Sequence, residues 1–269
     1  MKLSLMMPLL LSLSSNMALA AKSSAKAKHS TKATPAAAAS TAEPTALEIL
    51  GESDRSRGSS AVAEGISWAV DVHSKDTNTD STVSYDLKVK GNDALAEATA
   101  PARNKGETMI FNDRNIWFFK PGLKKPVAIS PRQKLMGQAS NGDIASTNYA
   151  RDYEGTIIGS EQVDGQETWK LELKAKAKNV TYDRVRYWIS KKDRLGIKAE
   201  FLTVSGDVFK KATFEYKNKM ETGGKTFPFV SKMVITDAVN NASVTTLDYK
   251  LPHAEKHADA IFNVNNLIR

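Results

Sequence analysis

The residues that could do chemistry are few, and their spacing argues against most of it. Four histidines are present and no cysteine. His253 and His257 stand four apart in "HAEKH". On a helix that spacing puts both imidazoles on one face, as metal ligands require. The zinc-protease pattern needs glutamate directly after the first histidine, and Ala254 stands there, with Glu255 directed elsewhere. His73 ends a strand-like run with Asp71 two residues before it on the same face. That is the spacing of a general base and the carboxylate that orients it, and also an ordinary arrangement on a solvated strand face. His29 lies in a low-complexity tract. Neither phosphate-loop pattern (G-x-G-x-x-G or G-x-x-x-x-G-K-S/T) occurs, nor a G-x-S-x-G elbow. The absence of cysteine removes thiol catalysis, cysteine-bound zinc, disulfides and a lipobox. No catalytic residue, metal or cofactor is assigned.

What remains is an excess of apolar side chains in one place. "NIWFFKPGLKKPVAISPRQKLMGQASNGD", residues 115–143, opens with four apolar residues in a row and continues with lysines and prolines. A strand apolar on both faces must meet something on each. One face serves a core; the other meets a further element or an apolar ligand.

The elements around this stretch read as antiparallel sheet. "STVSYDLKVKG" alternates cleanly, with Val83, Tyr85, Leu87 and Val89 on one face. "ETMIFNDRNIWFFKP" reads as a hairpin turning at residues 112–115, and a second hairpin turns at Asp164-Gly165. Further turns at residues 191–194, 205–207 and 240–241 continue the meander, giving about ten strands. "EPTALEILGESDRSRG" predicts a helix before the sheet, with Pro44 in its first turn and Gly58 as its stop. Residues 130–153 predict a loop with a helical turn from Asp143, and "AEKHADAIF" predicts a short amphipathic helix with Ala258, Ile261 and Phe262 on its apolar side. The fold class is mainly β: a large sheet that curls, its apolar concave face covered by the helical pieces or filled by a ligand.

Residues 1–20 read as a secretory signal, with Lys2 before an apolar run and Ala18-Leu19-Ala20 as the cleavage site. Residues 21–43 are a basic Ala/Lys/Ser/Thr/Pro tract expected to be disordered, and residues 44–269 form the folded domain. Thirty-three basic residues face twenty-nine acidic ones from Pro44 onward, a modest balance that disfavours nucleic acid. The expected product is a soluble periplasmic protein.

The order of these motifs resembles the outer-membrane lipoprotein-sorting proteins of the LolA-like superfamily, over roughly residues 47–267. "ALEILGESDRSRG" is similar to the family's N-terminal helix, and "KGETMIFNDRNIWFFKPGLKKPVAISPRQKLMGQ" to its most characteristic run. "DIASTNYARDYEGTIIGSEQVDGQETWKLEL" and "VRYWISKKDRLGIKAEFLTVSGDVFKKATFEY" are similar to the hairpin and paired strands that follow. Gly196 departs from the pattern, since members often carry proline there, and residues 140–143 form a looser turn. The resemblance implies an unclosed half-barrel, here of about ten to eleven strands, with an apolar hollow capped by helices. It implies no catalytic residue; an arginine that holds the closed state in a carrier of the family has no counterpart that aligns here.

Two function classes follow, ahead of a third that ranks last, an enzyme whose minimum requirement is a pocket clustering His73 with acids. One is a periplasmic carrier of lipid or acyl chains, or of lipidated protein, with an inner-membrane transporter as donor and an outer-membrane acceptor. Trp68, Trp117, Phe119, Leu135 and Met136 are the expected lining or rim of its cavity, methionine suiting irregular ligands. The other is an envelope accessory or sensor module that binds a protein partner and carries no lipid.

Overall fold

Short turns dictate the register of the sheet. The computed structural model describes residues 43–57, 62–145 and 148–267. The expected signal, nearly all of the expected basic tract, and Gly58 lie outside the described residues. Glu43–Arg269 forms one compact unit by its internal contacts.

The unit begins with helix α1, Ala46–Arg55. Its start is a capping box: the Thr45 hydroxyl accepts the Glu48 N–H, and the Glu48 carboxylate accepts the Thr45 N–H at 2.8 Å. Pro44 therefore precedes the cap instead of occupying the first turn. Six strands follow in an antiparallel meander: Ile66–Lys75 (β1), Asp80–Lys90 (β2), Asp93–Ala100 (β3), Thr108–Asn112 (β4), Asn115–Phe119 (β5) and Val127–Ile129 (β6). The chain then leaves the sheet as a strap holding two short strands, Lys134–Met136 (β7) and Ala139–Ser140 (β8), a 3-10 turn at Asn141–Asp143 and helix α2, Tyr149–Asp152. It rejoins as Tyr153–Val163 (β9), Gln166–Ala175 (β10), Arg184–Ser190 (β11), Gly196–Leu202 (β12) and Val208–Glu215 (β13). A small hairpin, Asn218–Thr222 (β14) with Lys225–Phe229 (β15), precedes Lys232–Asp237 (β16) and Val244–Ala254 (β17).

Thirteen of these strands make one unclosed sheet in the order β6-β5-β4-β3-β2-β1-β17-β16-β13-β12-β11-β10-β9. The β1–β17 pairing joins the two meanders, and β6 and β9 are the free edges. Four charged side chains draw the region of the two edges together. Arg151 and Arg114 both reach Asp152, at 2.7 and 2.8 Å, and Arg151 also holds Asp113 at 2.6 Å. The β4–β5 turn is thereby tied to α2, which runs directly into β9.

The core lies on the concave face. Leu87, Ala96 and Met109 occupy successive register positions there and are at most 3% exposed. Helix α1 covers the β9–β13 half, where Ile49 and Leu50 are buried. A β-carbon at Gly155 would stand 2.9 Å from Leu50 Cδ1, so the helix rests directly on β9. Burying those two side chains contributes roughly 3–6 kcal/mol. Among the described residues no helix lies over the concave face of the β2–β6 half; the strap crosses there.

Three elements differ from the sequence reading. β3 was not anticipated, because "DALAEATA" is alanine-rich, yet Ala94, Ala96 and Ala98 are buried and alternate with polar residues as a strand requires. The predicted helix at residues 254–262 is not formed: residues up to Ala254 extend β17, Asp259–Phe262 forms a 3-10 turn, and a second such turn follows at Val264–Leu267. The first turn packs over β3 and β4 on the outer face, with Asn112 Nδ2 donating to the Phe262 carbonyl at 2.9 Å, so it does not cover the hollow. The strand count exceeds expectation because pieces of two to five residues carry no readable period.

Candidate ligand-binding site

The two-residue turn at Asp113-Arg114 pairs Asn112 with Asn115, and so places Phe118 opposite Met109 on the concave face. Val83 and Tyr85 reach the same face from β2, and Ile129 from β6. Opposite them, Leu135 and Met136 project from the strap. Between these two walls lies a cavity of about 650 Å3, within the usual range for small-molecule sites, ~300–1,000 Å3. Its body is apolar. Its mouth carries Arg103, Asn104 and Glu107 from the β3–β4 loop, and Lys134 and Gln133 from the strap. Burial and the neighbouring Glu107 carboxylate push the Tyr85 phenol up to about 12, so it stays neutral. Asn104 donates to Glu107 at 2.9 Å, which fixes the orientation of its amide.

The strap is pinned at both ends of its crossing. At Gly137, φ is +53°, and an added β-carbon would lie 2.0 Å from Ser74 Oγ and 2.3 Å from Thr245 Oγ1. The next residue, Gln138, donates its N–H to Thr245 Oγ1 at 2.7 Å and its side-chain amide to Ser243 Oγ at 2.8 Å. At the other end, Arg132 makes a two-pronged contact with Asp183 at 2.6 and 2.7 Å and donates to the Val180 carbonyl at 3.0 Å. Asp143, closing the strap, is buried and accepts from Tyr182 at 2.7 Å and from the Ser140 N–H at 2.8 Å. Burial pushes its carboxyl above the usual range. A second, wider cleft of about 770 Å3 lies on the other flank, with Arg132 and Ser140 of the strap, Tyr182, Phe209 and Lys210 in its wall.

Of the five residues singled out in the sequence, Leu135 and Met136 line the first cavity. Trp68 lies on the same sheet face but in the core beside it, 5.5 Å from the Phe229 ring, its indole N–H buried with no hydrogen-bond partner among the described residues. Trp117 and Phe119 belong to the opposite face of β5: Trp117 pairs with Ile110, fully buried on the outer side. The aromatic that reaches the cavity from β5 is Phe118. The length of the turn was the signal that could have found it.

The histidines sit apart from this site. His73 Nε2 bonds Asp80 at 2.8 Å on the solvated face, while Asp71 pairs with Lys250. His253 is exposed on β17, and His257 is buried 3.1 Å from Ser67 Oγ, so the two share no helix face. Among the described residues no cluster of three metal-ligating side chains occurs.

The fold, an unclosed antiparallel sheet crossed by a strap, is that of the LolA-like superfamily, and the chain is a member. A LolA superfamily protein from Nitrosomonas europaea is 28% identical, covering 83% of this chain and 99% of its own, with a TM-score of 0.73. Two more distant structures share the fold. One is an outer membrane lipoprotein-sorting protein domain from Vibrio parahaemolyticus, at 22% identity, 83% and 98% coverage and a TM-score of 0.69. The other is a DUF1329 family protein from Desulfovibrio piger, at 20% identity, 82% and 97% coverage and a TM-score of 0.68. Within the superfamily the chain belongs to the family whose model, described as "Uncharacterized protein", matches residues 90–269. No curated protein matches the chain. Among the described residues no helix is long and apolar enough to cross a membrane.

Proposed function

We propose that this protein is a periplasmic carrier of lipid or acyl chains, exported by a signal cleaved after Ala20 and joined by the basic tract of residues 21–43 to the half-barrel of residues 44–269. The observation that carries the reading is the cavity of about 650 Å3 between β2–β6 and the strap. Superfamily membership supports it. An acyl chain is bound there by desolvation: each buried methylene is worth ~0.8 kcal/mol, so fourteen offer roughly 10 kcal/mol before the entropy of ordering is subtracted. Leu135, Met136 and Phe118 grip the chain, and Trp68 backs the wall. Tyr85, Asn104 and Glu107 face its polar end. Release requires weaker binding in a second state, so strap displacement is coupled to an acceptor that favours that state. Cargo arrives from an inner-membrane transporter and leaves to an outer-membrane acceptor, as free lipid or as the acyl chains of a lipidated protein.

The test is solvent extraction of protein purified from the periplasm without detergent, followed by mass spectrometry of the extract. A stoichiometric lipid that a fluorescent fatty acid displaces is the expected result. Protein that yields no lipid and binds no fatty-acid probe overturns the reading.

A further inference from the structure

A cationic surface extends from Arg103 in the cavity wall over two neighbouring loops. Two loops leave the same end of the sheet, residues 101–107 after β3 and residues 120–126 after β5. They touch: a β-carbon added at Gly106 would stand 3.2 Å from Pro121 Cγ. Between them they present Arg103, Lys105, Lys120, Lys124 and Lys125, all exposed. Glu107 is their only carboxylate, and it is engaged by Asn104. This surplus of four equals the surplus of the whole chain from Pro44 onward. None of the five cations enters an ion pair among the described residues, although several cations on the sheet do, Lys170, Lys232 and Lys250 among them. Lys134, exposed on the strap in the same cavity wall, is likewise outside every such pair. Immediately after the second loop, Val127 stands 47% exposed on the edge strand β6.

We infer that this loop pair docks the protein on an anionic lipid leaflet. Like charges held together in two proline-stiffened loops repel one another, so the arrangement lacks a folding rationale and gains one against a negative surface. A bilayer fits better than an acidic protein for two reasons. Arg103 of the loop pair and Lys134 of the strap both line the cavity, so docking through the loops brings the cavity to the leaflet. The apolar side chain among them, Val127, suits shallow insertion at the head-group boundary. Docking rests on the charge of the loops and holds whether or not the cavity carries lipid.

The experiment is cosedimentation of the purified chain, residues 21–43 retained, with vesicles of phosphatidylglycerol mixed into phosphatidylcholine, against phosphatidylcholine alone. Binding to the anionic vesicles only, weakened by added salt, is expected. Each lysine at an anionic surface contributes about fivefold in affinity, so Lys120→Gln, Lys124→Gln and Lys125→Gln together lower it by roughly a hundredfold. The Lys→Arg triple retains it. The same number of substitutions in the basic tract, Lys22→Gln, Lys26→Gln and Lys28→Gln, leaves most of it. Equal binding to both vesicle types overturns the inference, as does loss in the tract variant with retention in the loop variant. Fatty-acid binding in vesicle-free solution is read in parallel, so failure to dock is separable from failure to carry.

Discussion

Replacing Gly137 by alanine tests whether the strap is held where it crosses β1 and β17. Two costs add. A β-carbon at φ +53° costs ~1–2 kcal/mol for the left-handed backbone alone. The same carbon would lie 2.0 Å from Ser74 Oγ and 2.3 Å from Thr245 Oγ1, both on buried residues. Relief has two routes. If Thr245 rotates, the Gln138 N–H loses its 2.7 Å acceptor, worth ~0.5–1.5 kcal/mol. If the strap lifts, Leu135 and Met136 leave the cavity wall. By the first route the expected loss is roughly 1.5–3.5 kcal/mol, read as a lower urea midpoint at unchanged slope. Gly122→Ala is the control: φ there is +93° and no atom lies within 4 Å of the added carbon, so it carries the backbone cost alone. Fatty-acid affinity should fall in the Gly137 variant and stay constant in the Gly122 variant. Equal destabilisation by the two substitutions would refute the pinning.

Phe118→Ala should weaken fatty-acid binding about tenfold, as removal of one largely buried aromatic implies, while Phe119→Ala changes it less than twofold; equal effects, measured by probe displacement, would put the ligand elsewhere. Gly196→Ala should cost roughly 1–3 kcal/mol by overpacking, because the added carbon would stand 1.7 Å from the Tyr187 hydroxyl oxygen; an unchanged thermal midpoint would contradict that packing. Asp54 is pushed up to about 7, chiefly by burial, against the pull of the Ala150 and Tyr149 N–H groups and of Arg57. The folded chain thus keeps a proton that the unfolded chain releases near pH ~4, and the group's stabilisation is complete below that and is lost as pH rises to about 7. Asp54→Asn should flatten that fall in a series of unfolding curves across pH, and identical slopes in the two proteins would refute it.

The long alternating strands were legible because one face of each is buried, so period two is written in residue type: Val83, Tyr85, Leu87 and Val89 are at most 7% exposed. The two-residue turns were legible from their chemistry, Asp164 and Gly165 both adopting positive φ. β3 was not, because its buried face is alanine, which carries weak strand preference and little hydrophobic signal. In "IWFF" all four residues are apolar, so residue type cannot distinguish the cavity side from the outer side. The register set by the β4 hairpin decides it, and it selects Phe118. The departure at Gly196 has a local cause: Tyr216 donates to its carbonyl at 2.8 Å and the Tyr187 ring fills the space a larger residue would need. The pins of the strap were invisible for a different reason. Ser74, Thr245 and Asp183 are remote in sequence from the residues they hold, and no local pattern encodes such a pairing.

The two pins are unequal, and that sets how the cavity wall can move. At the Gly137 end the contacts are backbone to buried hydroxyl, on residues 0% and 4% exposed. At the Arg132 end the ion pair is 42% and 34% exposed, and such pairs contribute only ~0–1 kcal/mol; the buried Asp143–Tyr182 bond holds the far side of the strap and not residues 132–136. β7 and β8 pair through few residues and cannot hold the wall by themselves. Local opening therefore begins at Arg132 and runs toward Gly137, lifting Leu135 on the way. Hydrogen exchange should show it: amides of residues 132–136 exchange well before the Gln138 amide. Arg132→Ala should accelerate the first group while changing global stability by less than about 1 kcal/mol. Uniform protection across the strap, or an Arg132 variant that exchanges like the parent protein, would mean that the wall moves as a rigid piece and that cargo must enter by another route.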